Sequence, residues 1–306
     1  MLIAQLSRIV AGDPDAVSRL AAAGIEVAVD LPGYVRLHEE GGEQAWLAAL
    51  ADVEGMIVGL QPIDRAVLDA APRLRWVLRM GTGTDTVDAE ALAQRGVELA
   101  SLPGQNAEAV AEHAFALLLA AAKRIPESHD LVHSGGWGRL AGRHLGGRTL
   151  GLVGYGAIAR LLVPKARGFG MEVLAFRRSG GATEEGVELV GLDELIDRSE
   201  FLSVHVPLTP ATRGLIGARE IARMRGTILV NTARGGVVDE EALHAGLLAG
   251  NVAAAGLDVF ANEPPTGSPL LELPNVVLTP HNGGFSDLIM TRIATAAADF
   301  AVARTR

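Results

Sequence analysis

The sequence has 306 residues, 49% of them hydrophobic, enough to bury a large apolar core and long enough for two domains rather than one. A formal charge of −9 with no cluster of basic residues excludes a nucleic-acid footprint. The absence of cysteine excludes disulfides, thiolate metal sites and a cysteine nucleophile, and fits a reducing compartment.

In chain order, Met1 to Val10 is apolar but carries Arg8 and runs into Ala11-Gly12-Asp13-Pro14, too short for a signal-peptide core. The first hundred residues then alternate short apolar runs with helical patterns. Strands are predicted at Leu2–Leu6, Glu26–Val29, Gly55–Val58, Trp76–Met80 and Val97–Leu99, with helices at Pro14–Ala23, Gln44–Leu50, Asp64–Ala71 and Asp88–Gln94. That rhythm predicts a parallel sheet. Pro103-Gly104-Gln105-Asn106 is a turn signal before a long predicted helix, Ala107–Lys123, and an irregular Gly/His/Arg-rich stretch runs from Ser134 to Arg148. A domain boundary is expected in this region. The apolar run Ala114–Ala122 is bracketed by Glu112, Lys123 and Arg124, well short of the roughly 20 residues a membrane span requires, so it reads as a buried helix of a soluble, cytoplasmic protein.

From Thr149 the rhythm restarts, with strands predicted at Thr149–Val153, Glu172–Phe176, Phe201–Val204, Thr227–Asn231, Ala253–Leu257 and Val276–Leu278. Six strands with intervening helices predict a doubly wound sheet. The last segment, Asp287–Val302, has helical period and no strand of its own, so it is expected to pack back on the first domain.

Gly151-Leu-Val-Gly154-Tyr-Gly156-Ala-Ile-Ala159 falls where a strand ends and a helix begins, giving G-x-G-x-x-A in the context that a bare match lacks. The first glycine permits the tight turn, the second lets backbone N–H groups approach a pyrophosphate, and Ala159 allows close helix-to-strand packing. A ligand-free glycine turn would leave three small residues at this register unexplained. At the end of the next strand, where sites that prefer NAD place an acid for the ribose 2'-hydroxyl, the sequence reads Phe176-Arg177-Arg178-Ser179. Two guanidiniums and a hydroxyl suit a 2'-phosphate, so NADP(H) is expected in preference to NAD(H). The competing reading is that Arg177 and Arg178 are solvated loop charges.

Three more segments fall at strand ends of the same predicted sheet: Asn231-Thr232-Ala233-Arg234-Gly235-Gly236, Asp258-Val259-Phe260-Ala261-Asn262-Glu263-Pro264 and Thr279-Pro280-His281-Asn282-Gly283-Gly284. Arg234 can hold a carboxylate in two parallel hydrogen bonds and polarise an adjacent carbonyl. His281 can supply or remove a hydroxyl proton, and Glu263, bonded to its other ring nitrogen, would fix the tautomer and favour the protonated ring for ketone reduction. Taken singly, each has a plain alternative: a surface ion pair for Arg234, a loop acid for Glu263, a packing or capping histidine for His281. Their convergence on the edge that carries a dinucleotide fingerprint favours catalysis.

These motifs, together with His205-Val206-Pro207-Leu208-Thr209 and the continuation Val238-Asp239-Glu240, resemble those of the D-isomer-specific 2-hydroxyacid dehydrogenase family over essentially the whole length. The resemblance implies two doubly wound α/β domains facing each other across a cleft: a flavodoxin-like substrate domain (1–101 plus 285–306) and a Rossmann coenzyme domain (102–284). It implies that Arg234 binds substrate, that Glu263 and His281 form the acid–base pair, and that Asp258 with the Thr232-Ala233 backbone positions the nicotinamide carboxamide. It also implies that Gly154, Gly156, Ala157, Ile158, Val206, Pro207, Thr212 and Gly283 contact the cofactor, and that the loop Gly81-Thr82-Gly83-Thr84-Asp85 offers Thr82 and Gly83 to the substrate carboxylate. A homodimer built by the long helix and the Ser134–Arg148 arm, and hinge closure over substrate, are further implications.

Departures from the family pattern narrow the substrate. Arg177 replaces the frequent acid, and Val58-Gly59-Leu60-Gln61-Pro62 lacks the arginine that phosphoglycerate enzymes place near the phosphate. Glu263 stands where formate dehydrogenases carry an amide, and no regulatory domain is expected beyond residue 306. The expected activity is reduction of a small 2-keto acid such as glyoxylate or hydroxypyruvate, without metal. The alternatives are phosphite or phosphoglycerate oxidation and, outside enzymes, a dinucleotide-sensing co-regulator.

Overall fold

The computed structural model describes residues 1–5, 8–30, 46–180, 183–184 and 186–305. The chain divides into two compact units, Met1–Asn106 with Phe285–Arg306, and Ala107–Gly284.

In the first unit, β1 (Leu2–Gln5), β2 (Glu26–Asp30), β3 (Gly55–Val58), β4 (Trp76–Arg79) and β5 (Glu98–Ser101) form a parallel sheet in the order β2-β1-β3-β4-β5. This is the flavodoxin-like order that the resemblance implied. Every residue of β3 and β4 is buried, as strands covered on both faces must be, which is why they read as apolar runs, broken only where the buried Arg79 ends β4. Leu6 of the predicted first strand and Gln44 and Ala45 of the predicted second helix lie outside the described residues; residues 46–48 are helical. Asp13, Asp64 and Asp88 cap the helices Pro14–Ala22, Arg65–Ala70 and Ala89–Gln94 by accepting the amides of Ala16, Val67 and Ala91, each cap stabilising by about 0.5–2 kcal/mol.

Gly55 opposes Trp76 in the β3/β4 register, and the Trp76 ring lies where a Gly55 side chain would begin. That ring meets Phe300 edge-on, with centroids 5.4 Å apart. Phe300 belongs to the helix Asp287–Val302, which is further tied to this unit by the Arg19–Asp299 ion pair at 2.7 Å. The last segment thus packs on the first unit, as its lack of a strand implied.

In the second unit, β6 (Thr149–Val153), β7 (Glu172–Phe176), β8 (Thr183–Glu184), β9 (Val187–Leu189), β10 (Phe201–Val204), β11 (Thr227–Asn231), β12 (Val252–Leu257) and β13 (Val276–Leu278) form one sheet, ordered β13-β12-β11-β10-β6-β7-β9-β8. Six strands were expected, and β8 and β9 are additional. They are two and three residues long, too short to carry a periodic signal, and β8 pairs antiparallel with β9 at the sheet edge. Helix Ile125–His133 was likewise not anticipated, because none of its residues is buried and it carries no core-facing stripe. The predicted helix Ala107–Lys123 packs against the sheet: Leu117 lies against Gly256 of β12, where a Cβ would stand 2.9 Å from that of Leu117. Among the described residues, no helix is long and apolar enough to cross a membrane.

A Cβ at Gly55 would fall 2.1 Å from Trp76 Cζ2, with backbone and indole both fixed by the sheet. Gly55→Ala is therefore expected to destabilise the fold by about 1–3 kcal/mol, read as a lower urea midpoint at unchanged slope. Gly168→Ala, at the end of a helix and with open space around it, should leave the midpoint unchanged or raise it.

Candidate active site

The order of the second sheet reverses between β6 and β10, so loops at the carboxyl ends of these two strands part to opposite faces and leave a crevice for a ligand. Gly154 follows β6 with φ 98°, and a side chain there would strike the carbonyl of His205 at 2.7 Å and Val206 Cγ1 at 2.8 Å. Only glycine fits, in conformation and in space. Gly156 is different: it is the N-cap of the helix Ala157–Gly168, makes no side-chain cap, and has open space where a Cβ would stand. The helix start therefore presents its first amides, those of Ala157 and Ile158 among them, without a capping side chain. Ala159 is fully buried against the sheet. An approachable glycine at an uncapped helix start fits a dinucleotide pyrophosphate. Thr232 Oγ1 and His205 Nδ1, at the ends of neighbouring strands β11 and β10, are buried without a hydrogen-bond partner among the described residues.

The remaining cofactor candidates occupy the same edge. Val206 and Pro207 follow β10, and Thr212 folds that loop by accepting the Thr209 amide at 2.8 Å and donating to the Pro207 carbonyl at 2.5 Å. Arg177, half-buried just past β7, donates from Nε and Nη2 to the Gly180 carbonyl at 3.1 and 3.0 Å, while Arg178 and Ser179 are exposed. No carboxylate stands among these residues at the strand end.

Asn231 ends β11 and organises the next loop, accepting the Ala233 amide at 3.0 Å and donating to the Arg234 carbonyl at 2.9 Å. Arg234 Nη1 bonds the Ala233 carbonyl at 2.7 Å. Gly235 brings this loop against the next one so closely that a Cβ would stand 1.9 Å from the Phe260 carbonyl carbon. The second loop carries Glu263, whose Oε1 accepts the Phe260 amide at 3.1 Å and whose peptide to Pro264 is cis. Glu263 in turn holds His281: Nδ1 lies 2.8 Å from Oε2 and 3.1 Å from Oε1. Both side chains remain about one quarter exposed. With Nδ1 committed to the carboxylate, Nε2 is the ring atom left to exchange a proton with a substrate. Among the described residues there is no cluster of side chains fit to hold a metal.

His281 has φ 54°, rare for a residue with a side chain, and its amide bonds the carbonyls of Asp258 and Thr279. The following amides are taken by the Asp258 side chain: Asn282 N at 2.7 Å to Oδ1 and Gly283 N at 2.8 Å to Oδ2, with the Thr279 hydroxyl donating to Oδ1 at 2.6 Å. Burial alone would push this carboxyl up, but donation from His113, Thr279 and the Gly283 and Asn282 amides holds it below the usual aspartate range. Asp258 and Gly283, singled out as cofactor contacts, are thus bonded to each other, and Asp258 anchors the loop that carries His281. His113 and Thr279 escaped sequence reasoning. The one available signal for His113 was a lone imidazole at the edge of the apolar run Ala114–Ala122. Thr82 and Gly83 lie in the first unit, in the loop after β4, where Thr82 Oγ1 is 3.4 Å from the Gly104 amide.

Comparison with known proteins places this arrangement in context. Residues 115–283 match the family described as D-isomer specific 2-hydroxyacid dehydrogenase, NAD binding domain. The D-3-phosphoglycerate dehydrogenase of Mycobacterium tuberculosis is 41% identical over 294 residues, covering 94% of this chain and 54% of its own length. The chain thus spans about half the length of that relative. The glyoxylate reductase of Korarchaeum cryptofilum is 43% identical over 256 residues, covering 80% of this chain and 77% of its own. The crystal structure of the TT0316 protein from Thermus thermophilus superposes with a TM-score of 0.87 at 35% identity, covering 100% of this chain and 98% of that one.

His205 gives this edge a pH signature. Its Nε2 lies 2.8 Å from the Ser203 hydroxyl, and burial pushes the imidazole down to about 3. The unfolded chain takes the proton near pH ~6.5, so the stability His205 contributes is whole above that value and drains away as the pH falls toward 3. Asp258, held below its ordinary range, acts in the same direction at still lower pH. The urea midpoint should fall across this window and fall less steeply in His205→Gln; identical slopes for parent and variant would contradict the assignment.

Proposed function

The chain belongs to the D-isomer specific 2-hydroxyacid dehydrogenase family, and on that premise we propose that it reduces the carbonyl of a small, unphosphorylated 2-keto acid, such as glyoxylate or hydroxypyruvate. The observation that carries the proposal is the His281–Glu263 pair, with Nδ1 held by both carboxylate oxygens at a sheet edge that also carries the dinucleotide fingerprint. Gly154, Gly156 and the amides of Ala157 and Ile158 would hold the cofactor pyrophosphate, with Val206, Pro207, Thr212, Thr232 and Ala233 along the rest of the cofactor. When bound, the nicotinamide supplies the hydride in reduction and accepts it in oxidation.

The rest of the chemistry belongs to side chains of the protein. Arg234, with its forked guanidinium donors, neutralises the substrate carboxylate and polarises the carbonyl beside it. His281 Nε2 donates a proton to the carbonyl oxygen as C2 becomes tetrahedral, and Glu263 stabilises the imidazolium before transfer and orients the ring throughout. In the reverse direction His281 takes the hydroxyl proton. The same reading gives the main-chain amides of Thr82 and Gly83 to the substrate carboxylate.

NADP(H) is proposed over NAD(H) because Arg177, Arg178 and Ser179 follow β7 without an acid to repel a 2'-phosphate. A second substrate reading, oxidation of 3-phosphoglycerate, is favoured by the 41% identity with phosphoglycerate dehydrogenases across 94% of this chain. We also propose a homodimer. Helix Ile125–His133 buries none of its residues, and Ile125, Val132 and Trp137 are all more than half exposed, large apolar side chains that a second copy would cover.

Absorbance at 340 nm with NADPH and with NADH, against glyoxylate, hydroxypyruvate, pyruvate and phenylpyruvate, tests the activity; 3-phosphoglycerate and phosphite with the oxidised cofactors test the alternatives. Turnover of an unphosphorylated 2-keto acid is expected, with His281→Asn lowering kcat by about 10²–10⁴-fold. Unchanged rates in His281→Asn and Arg234→Ala would overturn the assignment. Arg177→Ala with Arg178→Ala should raise the KM for NADPH by roughly 10–100-fold and leave that for NADH unchanged. Light scattering should give a dimer mass, and Trp137→Glu a shift toward monomer; a parent chain that is monomeric at assay concentration contradicts the dimer.

A further inference from the structure

His113 sits in the helix Ala107–Lys123 between the buried residues Ala111 and Ala114, and the same helix is seated on β12 through Leu117. Its Nε2 lies 3.0 Å from Thr279 Oγ1 and 3.3 Å from Asp258 Oδ1. Thr279 already spends its hydroxyl proton on Asp258 at 2.6 Å, so its oxygen has only lone pairs to offer, and the carboxylate can only accept. The proton shared among these three groups must therefore be carried by His113 Nε2, as a donor forked between Thr279 and Asp258. Asp258 is 1% exposed, so bulk water does not supply its donors.

We propose that His113 is a positioning residue for the acid–base loop, acting through Asp258 and Thr279. The physical need is visible at His281. A left-handed backbone at a residue with a side chain persists only where the surroundings over-determine it. Here the surroundings are the Asp258 carbonyl on the His281 amide and the Asp258 carboxylate on the next two amides. The carboxylate can grip those amides only while its own orientation is fixed, and His113 is the donor that reaches it from outside the loop. A buried carboxylate that loses one of its donors keeps the desolvation penalty and turns toward whatever donors remain. The backbone angle of His281, and with it the aim of Nε2, shifts as a result. No hydrogen bond or ion pair joins His113 to Glu263 or His281, so its effect is on geometry rather than on proton transfer itself.

The proposal rests on the functional reading above, and its test separates the two. His113→Leu keeps bulk and removes the donor; His113→Gln returns an N–H near the position of Nε2. Misplacement of a reacting group by an ångström or less costs roughly 10–100-fold, so H113L should lose that much in kcat with little change in KM, and H113Q should recover most of the loss. If H113L turns over as fast as the parent, or H113Q is as slow as H113L, the residue is only packing and the proposal falls. If instead the parent and His281→Ala are equally inactive on every 2-keto acid, the functional reading has failed, and the unliganded protein still decides His113. Its long-range 1H–15N spectrum should show the proton on Nε2. A neutral ring protonated on Nδ1 alone contradicts the proposal whatever the turnover.

Discussion

The candidate site depends on one buried carboxylate. Asp258 closes β12, is almost fully removed from water, and spends its side chain on the protein's own donors: Thr279, His113 and two consecutive amides of the loop that carries His281. An ionised group in such a place is tolerable only when well supplied with hydrogen bonds. That necessity gives the loop its shape, because donors that must reach one carboxylate cannot wander. The price is a strained backbone at His281, and the return is an imidazole aimed by backbone geometry and held at its other nitrogen by Glu263.

The other parts of the site follow from close approach. Gly235 lets the Arg234 loop press on the Phe260 backbone, and Gly154 lets the end of β6 press on His205 and Val206 at the end of β10. Loops from four parallel strands are thereby drawn to one edge of the sheet, at and beside the point where strand order reverses. Gly156 is the exception, a glycine whose side-chain position faces open space. In a tightly packed neighbourhood, an unobstructed position at an uncapped helix start is what an anionic ligand needs.

Much of the fold was legible because its central strands are buried on both faces. Runs such as Trp76-Val77-Leu78 and Leu150-Gly151-Leu152-Val153 announce themselves as parallel strands, and the order of the first sheet matches the expectation. What escaped lacked a core to advertise it. Thr183–Glu184 and Val187–Leu189 are edge strands of two and three residues, and the helix Ile125–His133 buries nothing. For the site, Arg234, Glu263 and His281 were visible as chemically potent residues at strand ends, while His113 was not. Its partners are Asp258 and Thr279, far away in sequence, and only the packing of a helix on β12 brings them into reach. The backbone strain at His281 also leaves no mark in the sequence, since the local string Thr279-Pro280-His281-Asn282 gives no glycine where the left-handed turn occurs.

The most direct measurement is the fate of a deuterium carried on nicotinamide C4, followed into the product of whichever 2-keto acid turns over, by mass spectrometry and NMR. One deuterium is expected bound to C2 of the 2-hydroxy acid, in the D configuration wherever that carbon is a stereocentre, with the hydroxyl proton drawn from solvent through His281. Product without deuterium at C2, or turnover in which the label is lost to water, would contradict hydride transfer at this site.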